Sequence, residues 1–93
     1  MAIKVGIVGA GRIAQDFHIP ILQKLEGFDL CCVYDSIPAR RNIVKEQYGL
    51  KVFSDYKEFL NADIGLVVIS SPSNTHKELA IKAINARKNV VVE

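Results

Sequence analysis

The residues best suited to chemistry lie near the amino terminus, in the segment GAGRIA at positions 9–14. It matches the pattern GxGxxA and directly follows an apolar run that ends at Val8. Glycines at these positions permit a tight turn and let a pyrophosphate approach the backbone, while the helix that follows offers unpaired N–H groups and its positive dipole end. A glycine-rich strand-to-helix turn without a ligand is the alternative. The pattern predicts a phosphate-binding turn formed by Gly9, Ala10, Gly11, Arg12 and Ile13.

An acidic residue, Asp35, follows the second predicted strand, 21 positions after Ala14. A carboxylate there can accept hydrogen bonds from the adenosine ribose, and its charge repels the extra phosphate of NADP. The same side chain could instead cap the next helix, and Ser36 beside it could also serve as the cap. The spacing favours the ribose role, and therefore NAD as the preferred cofactor.

Two arginines, Arg40 and Arg41, complicate the choice of cofactor. An arginine near this edge can hold a 2′-phosphate or stack on adenine, although such residues more often form a solvated helix face. Ser36 and Arg40 therefore join Asp35 as candidate residues at the adenosine end of the site. NADP remains the alternative cofactor.

The segment SSPSNTH, positions 70–76, follows the fourth predicted strand. In open α/β sheets, ligands bind at the carboxyl ends of the strands where the strand order reverses. The segment therefore predicts contacts with the sugar and nicotinamide side of a cofactor. The alternative is a simple helix start, with Thr75 and Glu78 as a capping box. The candidate residues here are Ser71, Pro72, Asn74 and His76.

The elements that must position these residues alternate along the chain. Apolar runs predict strands at 3–8, 28–34, 50–53, 64–69 and 89–92, with a helical segment between each pair. Such alternation indicates βαβ units with right-handed crossovers. We therefore predict an α/β, Rossmann-type doubly wound parallel sheet of about five strands, in the order 3-2-1-4-5.

The predicted helices have recognisable signals. In the first, an apolar residue recurs every four positions, and Pro20 should kink or restart the helix because it lacks an N–H group. The second runs from about Pro38 to Tyr48 and stops at Gly49. Asp55 caps a short third helix that ends near Leu60. The apolar stripe of the first helix consists of Ile13, Phe17, Ile21 and Leu25.

Composition narrows the class of protein. With 93 residues the chain has room for one domain, and 12 basic against 10 acidic residues give a net charge of only +2. We expect neither nucleic acid nor a membrane as partner. Cys31 and Cys32 are adjacent, so a mutual disulfide would need strained geometry. We expect reduced thiols, no metal site and a cytoplasmic protein.

The combined pattern resembles the N-terminal domain of the glucose-fructose oxidoreductase/inositol dehydrogenase/MocA-like (Gfo/Idh/MocA) family. The resemblance is carried by GAGRIA, by HIP at 18–20, by Asp35, by SSPSNTH and by VVVE at 90–93. It implies a parent oxidoreductase that transfers a hydride between NAD or NADP and a hydroxyl-bearing substrate, such as a sugar or polyol. It also implies a homo-oligomer. The cofactor contacts it implies fall on Gly9, Gly11, Arg12, Ile13, Asp35, Pro72, Asn74 and His76.

The resemblance also bears on the last residue, Glu93. Relatives carry a Glu-Lys-Pro motif at the end of the fifth strand, with the glutamate beside the cofactor. We therefore expect a domain truncated after strand five, without the family's C-terminal α/β domain and not catalytically competent alone. The catalytic residues stay unknown. Arg87 departs from the usual glycine and suggests a different end to the last helix.

Other classes of protein share parts of this pattern. A regulatory relative could bind the dinucleotide without turnover. Biliverdin and dihydrodipicolinate reductases share the glycine-rich turn but fit the HIP and SPSNTH segments less well. A methyltransferase also uses a glycine-rich first turn, and the full GxGxxA form argues against it.

Overall fold

In the computed structural model, which describes residues 2–71 and 73–92, the described residues form one five-stranded parallel sheet. The strand order is β3-β2-β1-β4-β5, so the predicted doubly wound topology is confirmed. The carboxyl ends of β1, β2 and β4 therefore lie side by side at the point where the order reverses. The strands are β1 Ile3–Val8, β2 Phe28–Tyr34, β3 Lys51–Phe53, β4 Leu66–Ile69 and β5 Asn89–Val92.

Four α-helices connect the strands within the described part of the chain: α1 Ile19–Lys24, α2 Pro38–Tyr48, α3 Tyr56–Leu60 and α4 Ser73–Asn85. As predicted, α2 ends at Gly49, which adopts a left-handed φ of 66°. Also as predicted, Asp55 caps α3 by accepting the N–H groups of Lys57 and Glu58.

The predicted interruption at Pro20 is confirmed in a specific form. Helical residues run from 12 to 24, but Ala14–His18 form a π-helical turn and α1 restarts at Ile19. The N–H of Ile19 donates to the carbonyl of Ala14, five residues back. Proline cannot donate a backbone hydrogen bond, and it is tolerated in the first turn of the restarted helix, where such a bond is not needed.

The fourth strand is shorter than predicted. It begins at Leu66 rather than at position 64, although Ile64 is buried. The N–H of Ile64 donates to Ala62 and that of Gly65 to Lys4, so both residues belong to the turn that enters the sheet. An apolar run in a sequence indicates buried residues. Here the buried residues begin at Ile64, before the first residue of β4 that pairs in the sheet.

The core has two layers, one on each face of the sheet. Ile7 packs with Ile19 and Val44 on the face covered by the first two helices, and the next residue, Val8, packs with Phe59 on the other. Successive side chains of a strand point to opposite faces, so β1 contributes to both layers. The sheet is therefore covered on both sides, as doubly wound sheets require.

The apolar stripe of the first helix faces outward. Phe17 is 58% exposed and Ile21 55%, while Ala14 and Ile19 are fully buried against the sheet. The π-helical turn and the restart at Pro20 break the four-residue repeat, so the residues that reach the core are not those of the stripe.

In the described part of the chain no helix is long and apolar enough to span a bilayer. Residues 2–71 and 73–92 contain no group of three or more His, Cys, Asp or Glu residues suited to a metal ion.

Candidate functional site

Gly9 joins the ends of three strands. It directly follows β1 with a φ of 97°, and its N–H donates to the carbonyl of Tyr34 at the end of β2 over 2.8 Å. A Cβ atom at Gly9 would lie 2.8 Å from the backbone nitrogen of Ser71, which follows β4. Both the conformation and the close approach require glycine, so the turn is held tightly against the loop after β4.

Gly11 faces open space instead. A Cβ atom placed there would meet, among the described residues, only Arg40 Nη1 at 4.0 Å. The helix begins at Arg12, and N–H groups in a first helical turn have no partner within the helix. The open space beside the Gly11 backbone, next to the start of a helix, fits a pyrophosphate. Arg12 and Ile13 are both exposed at this position.

Asp35 links the end of β2 to the glycine-rich turn. Asp35 is buried, with 4% of its surface exposed, and its carboxylate Oδ2 accepts the backbone N–H of Ala10 over 2.7 Å. Oδ1 accepts the N–H of Ile37 over 2.8 Å, just ahead of α2. Both oxygens therefore organise backbone around the place where the sequence predicts an adenosine ribose, and each keeps further acceptor capacity.

The capping role considered for Ser36 is wrong. The N-cap of α2 is Ile37, without a side-chain cap, and Ser36 is exposed. The Asp35 carboxylate accepts the N–H of the N-cap residue Ile37 itself and so fixes the chain just ahead of the helix.

The two arginines on α2 both turn towards Asp35. Arg40 Nη1 lies 3.8 Å from Asp35 Oδ2, and Arg41 Nη1 donates to the Asp35 carbonyl over 2.8 Å. A simple solvated helix face does not describe them. The cationic edge they form lies next to the predicted ribose position.

The loop after β4 is tied to the start of α4. His76 Nε2 is hydrogen-bonded to the Ser71 carbonyl and must be the donor, because a carbonyl only accepts. The Ser71 and Thr75 hydroxyls lie 3.1 Å apart. Since α4 begins at Ser73, Thr75 is inside the helix and the predicted capping box is wrong. Asn74 is exposed on the first turn of α4.

Two predicted site residues, Pro72 and Glu93, lie outside the described residues. Among the other candidates, the ends of β1, β2 and β4 bring Gly9, Ala10, Asp35 and Ser71 together, with Arg40 beside Asp35 and His76 bonded to Ser71. The structure shows Arg12, Ile13, Ser36 and Asn74 as exposed residues near these ends. Sequence reasoning missed the Tyr34 carbonyl and the Arg41 contact, because backbone acceptors and the direction of a helix side chain leave no signal in residue type. The Asp35–Ala10 bond was also missed, although the spacing had identified Asp35.

A separate open groove of about 540 Å³ lies at the opposite, amino-terminal edge of the sheet. Its lining includes Cys31 and Cys32, and burial raises the pKa of the Cys32 thiol to about 11. Burial also raises the pKa of Cys31. Both thiols therefore stay protonated at neutral pH, and neither is an activated nucleophile.

The doubly wound sheet and the glycine-rich turn at its switch point define a Rossmann domain of the dinucleotide-binding class. A family model described as "Oxidoreductase family, NAD-binding Rossmann fold", GFO_IDH_MocA, matches residues 3–93. The chain belongs to this Gfo/Idh/MocA family of oxidoreductases, and the part it contains is the family's NAD-binding Rossmann fold.

Curated relatives agree. The inositol 2-dehydrogenase of Salmonella typhimurium is 30% identical over 96 residues, which cover 100% of this chain and 29% of that protein. The glucose-6-phosphate 3-dehydrogenase of Bacillus subtilis is 36% identical over 90 residues, covering 97% of this chain and 25% of that protein. The chain thus spans less than a third of the length of the relatives it matches.

A solved structure shows the same fold. The scyllo-inositol dehydrogenase of Lactobacillus casei, with bound NAD(H) and scyllo-inositol, aligns with a TM-score of 0.90 at 34% identity. The alignment covers 99% of this chain and 28% of that one.

Proposed function

We propose that the chain binds NAD at the carboxyl ends of β1, β2 and β4, as the cofactor domain of an NAD(P)-dependent oxidoreductase. The observation that carries the proposal is the junction of Gly9, Ala10 and Asp35, which holds a glycine-rich turn and a carboxylate in one arrangement. In the parent protein the reaction is hydride transfer between the nicotinamide and a hydroxyl-bearing substrate, a sugar or polyol.

The adenosine and phosphate end of the site is built from β1, β2 and α2. Open space beside Gly11 receives the pyrophosphate, and the N–H groups of Arg12 and Ile13 in the first turn of the helix are available to bind it. Asp35 accepts the ribose hydroxyls with the acceptor capacity left after its two backbone bonds. Ser36 and Arg40 border this end.

The nicotinamide end is formed by the loop after β4. We assign Ser71, Asn74 and His76 to this end. The family resemblance adds Pro72 and Glu93, which lie outside the described residues. The bond from His76 to the Ser71 carbonyl makes His76 a positioning residue that shapes this loop. With Nε2 donating, that nitrogen cannot act as a proton acceptor.

NAD, once bound, supplies the hydride chemistry, and the protein supplies orientation and proton transfer. This chain contributes the orientation, because it holds the phosphate-binding turn, Asp35 at the ribose and the loop at the nicotinamide in fixed positions relative to one another. We assign no acid or base to it. Proton transfer and substrate recognition belong to a further domain of the parent protein.

The substrate class rests on the relatives, which are named inositol and glucose-6-phosphate dehydrogenases. We further propose a homo-oligomeric parent protein in the cytoplasm, with no nucleic-acid or membrane partner. The nearly balanced charge argues against a nucleic-acid partner, and the two free cysteine thiols fit a reducing cytoplasm. The homo-oligomer rests on the family resemblance alone.

Isothermal titration calorimetry of the purified chain with NAD, and separately with NADP, tests the binding proposal. We expect saturable binding that Gly11→Val abolishes, because the new side chain fills the space beside the turn. Gly65→Val is the matched control, since Gly65 also has open space around it and lies at the other edge of the sheet. No response to either dinucleotide would refute the proposal.

A further inference from the structure

Strand β2 contains one extra residue, Cys31. In the pairing of β1 with β2, Val5 lies opposite Leu30, but the next residue, Gly6, lies opposite Cys32. Cys31 therefore has no partner in β1, and the register shifts at this point. An extra residue of this kind is a β-bulge, which changes the direction of the side chains around it.

The bulge places two neighbouring side chains on one face of the sheet. Leu30 and Val33 both belong to the core layer under the first two helices. Cys32, between them, is buried in the other layer with Phe59, and Cys31 packs against that same layer. Neighbours in a regular strand point to opposite faces. Here both thiols lie on the face that carries Phe59.

Both thiols line the open groove of about 540 Å³ at the amino-terminal edge of the sheet. Cys31 is half-buried there, whereas Cys32 is 2% exposed and lies deeper. Phe53 and Ile64 give the groove an apolar wall. Since neighbouring Cα atoms are only about 3.8 Å apart, two side chains on one face can bond to the same atom in the groove.

The pair suits a ligand that needs two sulfurs and accepts protonated thiols. A structural zinc ion takes four ligands, and residues 2–71 and 73–92 supply no group of three. A trivalent arsenic atom with one carbon substituent takes two sulfurs, and its oxygen carries the thiol protons away. Sulfur ligands suit such a soft centre.

We propose that Cys31 and Cys32 form a chelating site for trivalent organoarsenic oxides. Two arsenic–sulfur bonds form, the bond from arsenic to oxygen breaks, and the two thiol protons leave with that oxygen as one water. Arsenic stays trivalent, so no oxidant or reductant is consumed. Cys31, the more exposed thiol, reacts first, and Cys32 closes the ring. This site is independent of the proposed dinucleotide site at the other edge of the sheet.

Intact-mass spectrometry of the reduced chain with one equivalent of phenylarsine oxide tests the site. Wild type should gain one reagent less one water. The adduct should resist excess 2-mercaptoethanol, yield to 2,3-dimercaptopropanol, and leave the far-UV circular dichroism of the folded chain unchanged. Cys32→Ala should weaken binding by about a hundredfold or more, because the second sulfur no longer acts at high effective concentration. Cys31→Ala should form no adduct, since only the deeper thiol remains.

A rearranged pair serves as the matched control. Leu30→Cys combined with Cys32→Ala keeps two adjacent cysteines but places them on opposite faces of the sheet. Folded, this double variant should form only an adduct that 2-mercaptoethanol removes. In urea it should form the resistant adduct, because the unfolded chain no longer separates the two side chains. Circular dichroism shows which of the two states is present in each measurement.

Three results would overturn the proposal. The first is a folded wild-type chain that forms no adduct, or one that 2-mercaptoethanol removes as readily as it does from Cys32→Ala. The second is loss of the folded circular-dichroism signal on binding, because the adduct would then belong to the unfolded chain. The third is a resistant adduct on the folded double variant, which would show that adjacency suffices without the bulge.

Discussion

The Asp35 carboxylate accepts the backbone N–H of Ala10 over 2.7 Å, and both residues are buried. This bond makes the acid of β2 a structural part of the phosphate-binding turn. The ribose-binding role and the architecture of the turn therefore depend on one side chain. Changing Asp35 should affect stability as well as cofactor binding.

Asp35→Ala should lower the free energy of unfolding by about 1–3 kcal/mol, because the N–H groups of Ala10 and Ile37 lose their acceptors. Urea denaturation measures this loss. Asp35→Ala should also weaken the binding of NAD more than the binding of NADP, and calorimetry measures both affinities. Asp29→Ala is the control, since Asp29 is an exposed acid on β2, the strand that Asp35 directly follows. Equal stability of the two variants would contradict the structural role, and equal losses for both dinucleotides would contradict the ribose role.

The two glycines of the turn should respond differently to alanine. Gly9→Ala should cost more than about 1–2 kcal/mol, because φ is 97° and the new Cβ would lie 2.8 Å from Ser71 N. Gly11→Ala should leave stability within about 0.5 kcal/mol and weaken NAD binding, because its space is open to the cofactor. Thermal unfolding together with calorimetry separates these effects. Similar melting temperatures for both variants would argue against the tight packing at Gly9.

In the first helix, the buried residues outside the apolar stripe should contribute more to stability than the residues of the stripe. Ile19→Ala should cost about 2–4 kcal/mol, since Ile19 is fully buried. Phe17→Gln should cost less than about 1 kcal/mol, because Phe17 is 58% exposed. Urea denaturation of the two variants tests the orientation of this helix. A larger loss for Phe17→Gln would mean that the stripe faces the core.

Much of the fold could be predicted from the sequence because each βαβ unit has signals in its own local sequence. Strand alternation, the cap at Asp55 and the stop at Gly49 are short-range signals, and the handedness of crossovers then leaves few topologies. The orientation of the first helix could not be predicted. Apolar periodicity ordinarily marks the buried face, and here a π-helical turn before Pro20 shifts which residues reach the sheet.

The candidate site could be predicted in its residues but not in its bonds. The spacing from the glycine-rich turn to Asp35 reflects the length of one βα unit, so sequence alone identifies it. That Asp35 bonds to Ala10, and that His76 bonds to Ser71, depends on side-chain directions across different strands. Such contacts are tertiary and have no local signal.

Arg87 adopts the left-handed conformation that the sequence argued against. Its φ is 63°, and the N–H of Lys88 donates to the Ala83 carbonyl, which closes α4 in the way usual for glycine. The prediction that α4 ends in a different way is therefore wrong, and Arg87 carries the backbone strain of the left-handed conformation. Arg87→Gly should raise the free energy of unfolding by about 0.5–1 kcal/mol, after allowing for the greater flexibility of glycine in the unfolded chain.

Chemical denaturation of Arg87→Gly and Arg87→Ala tests that strain. Alanine retains the Cβ atom and should give no gain, although it removes the same charge. A similar rise for both variants would assign the effect to the arginine side chain rather than to the backbone.

Burial of the Cys32 thiol should make stability fall at alkaline pH. Its pKa is raised to about 11 in the folded chain from 9.0, so the unfolded chain loses this proton first as the pH rises. The associated stability is fully present below pH 9 and is lost between pH 9 and about 11, by up to about 2 kcal/mol.

Urea unfolding at pH 8, 9 and 10 should show the free energy of unfolding falling with pH in wild type, and falling less steeply in Cys32→Ala. Val33→Ala, a neighbouring buried truncation without a titrating group, should lower stability at every pH and keep the wild-type slope; an unchanged slope in Cys32→Ala would show that other groups cause the fall.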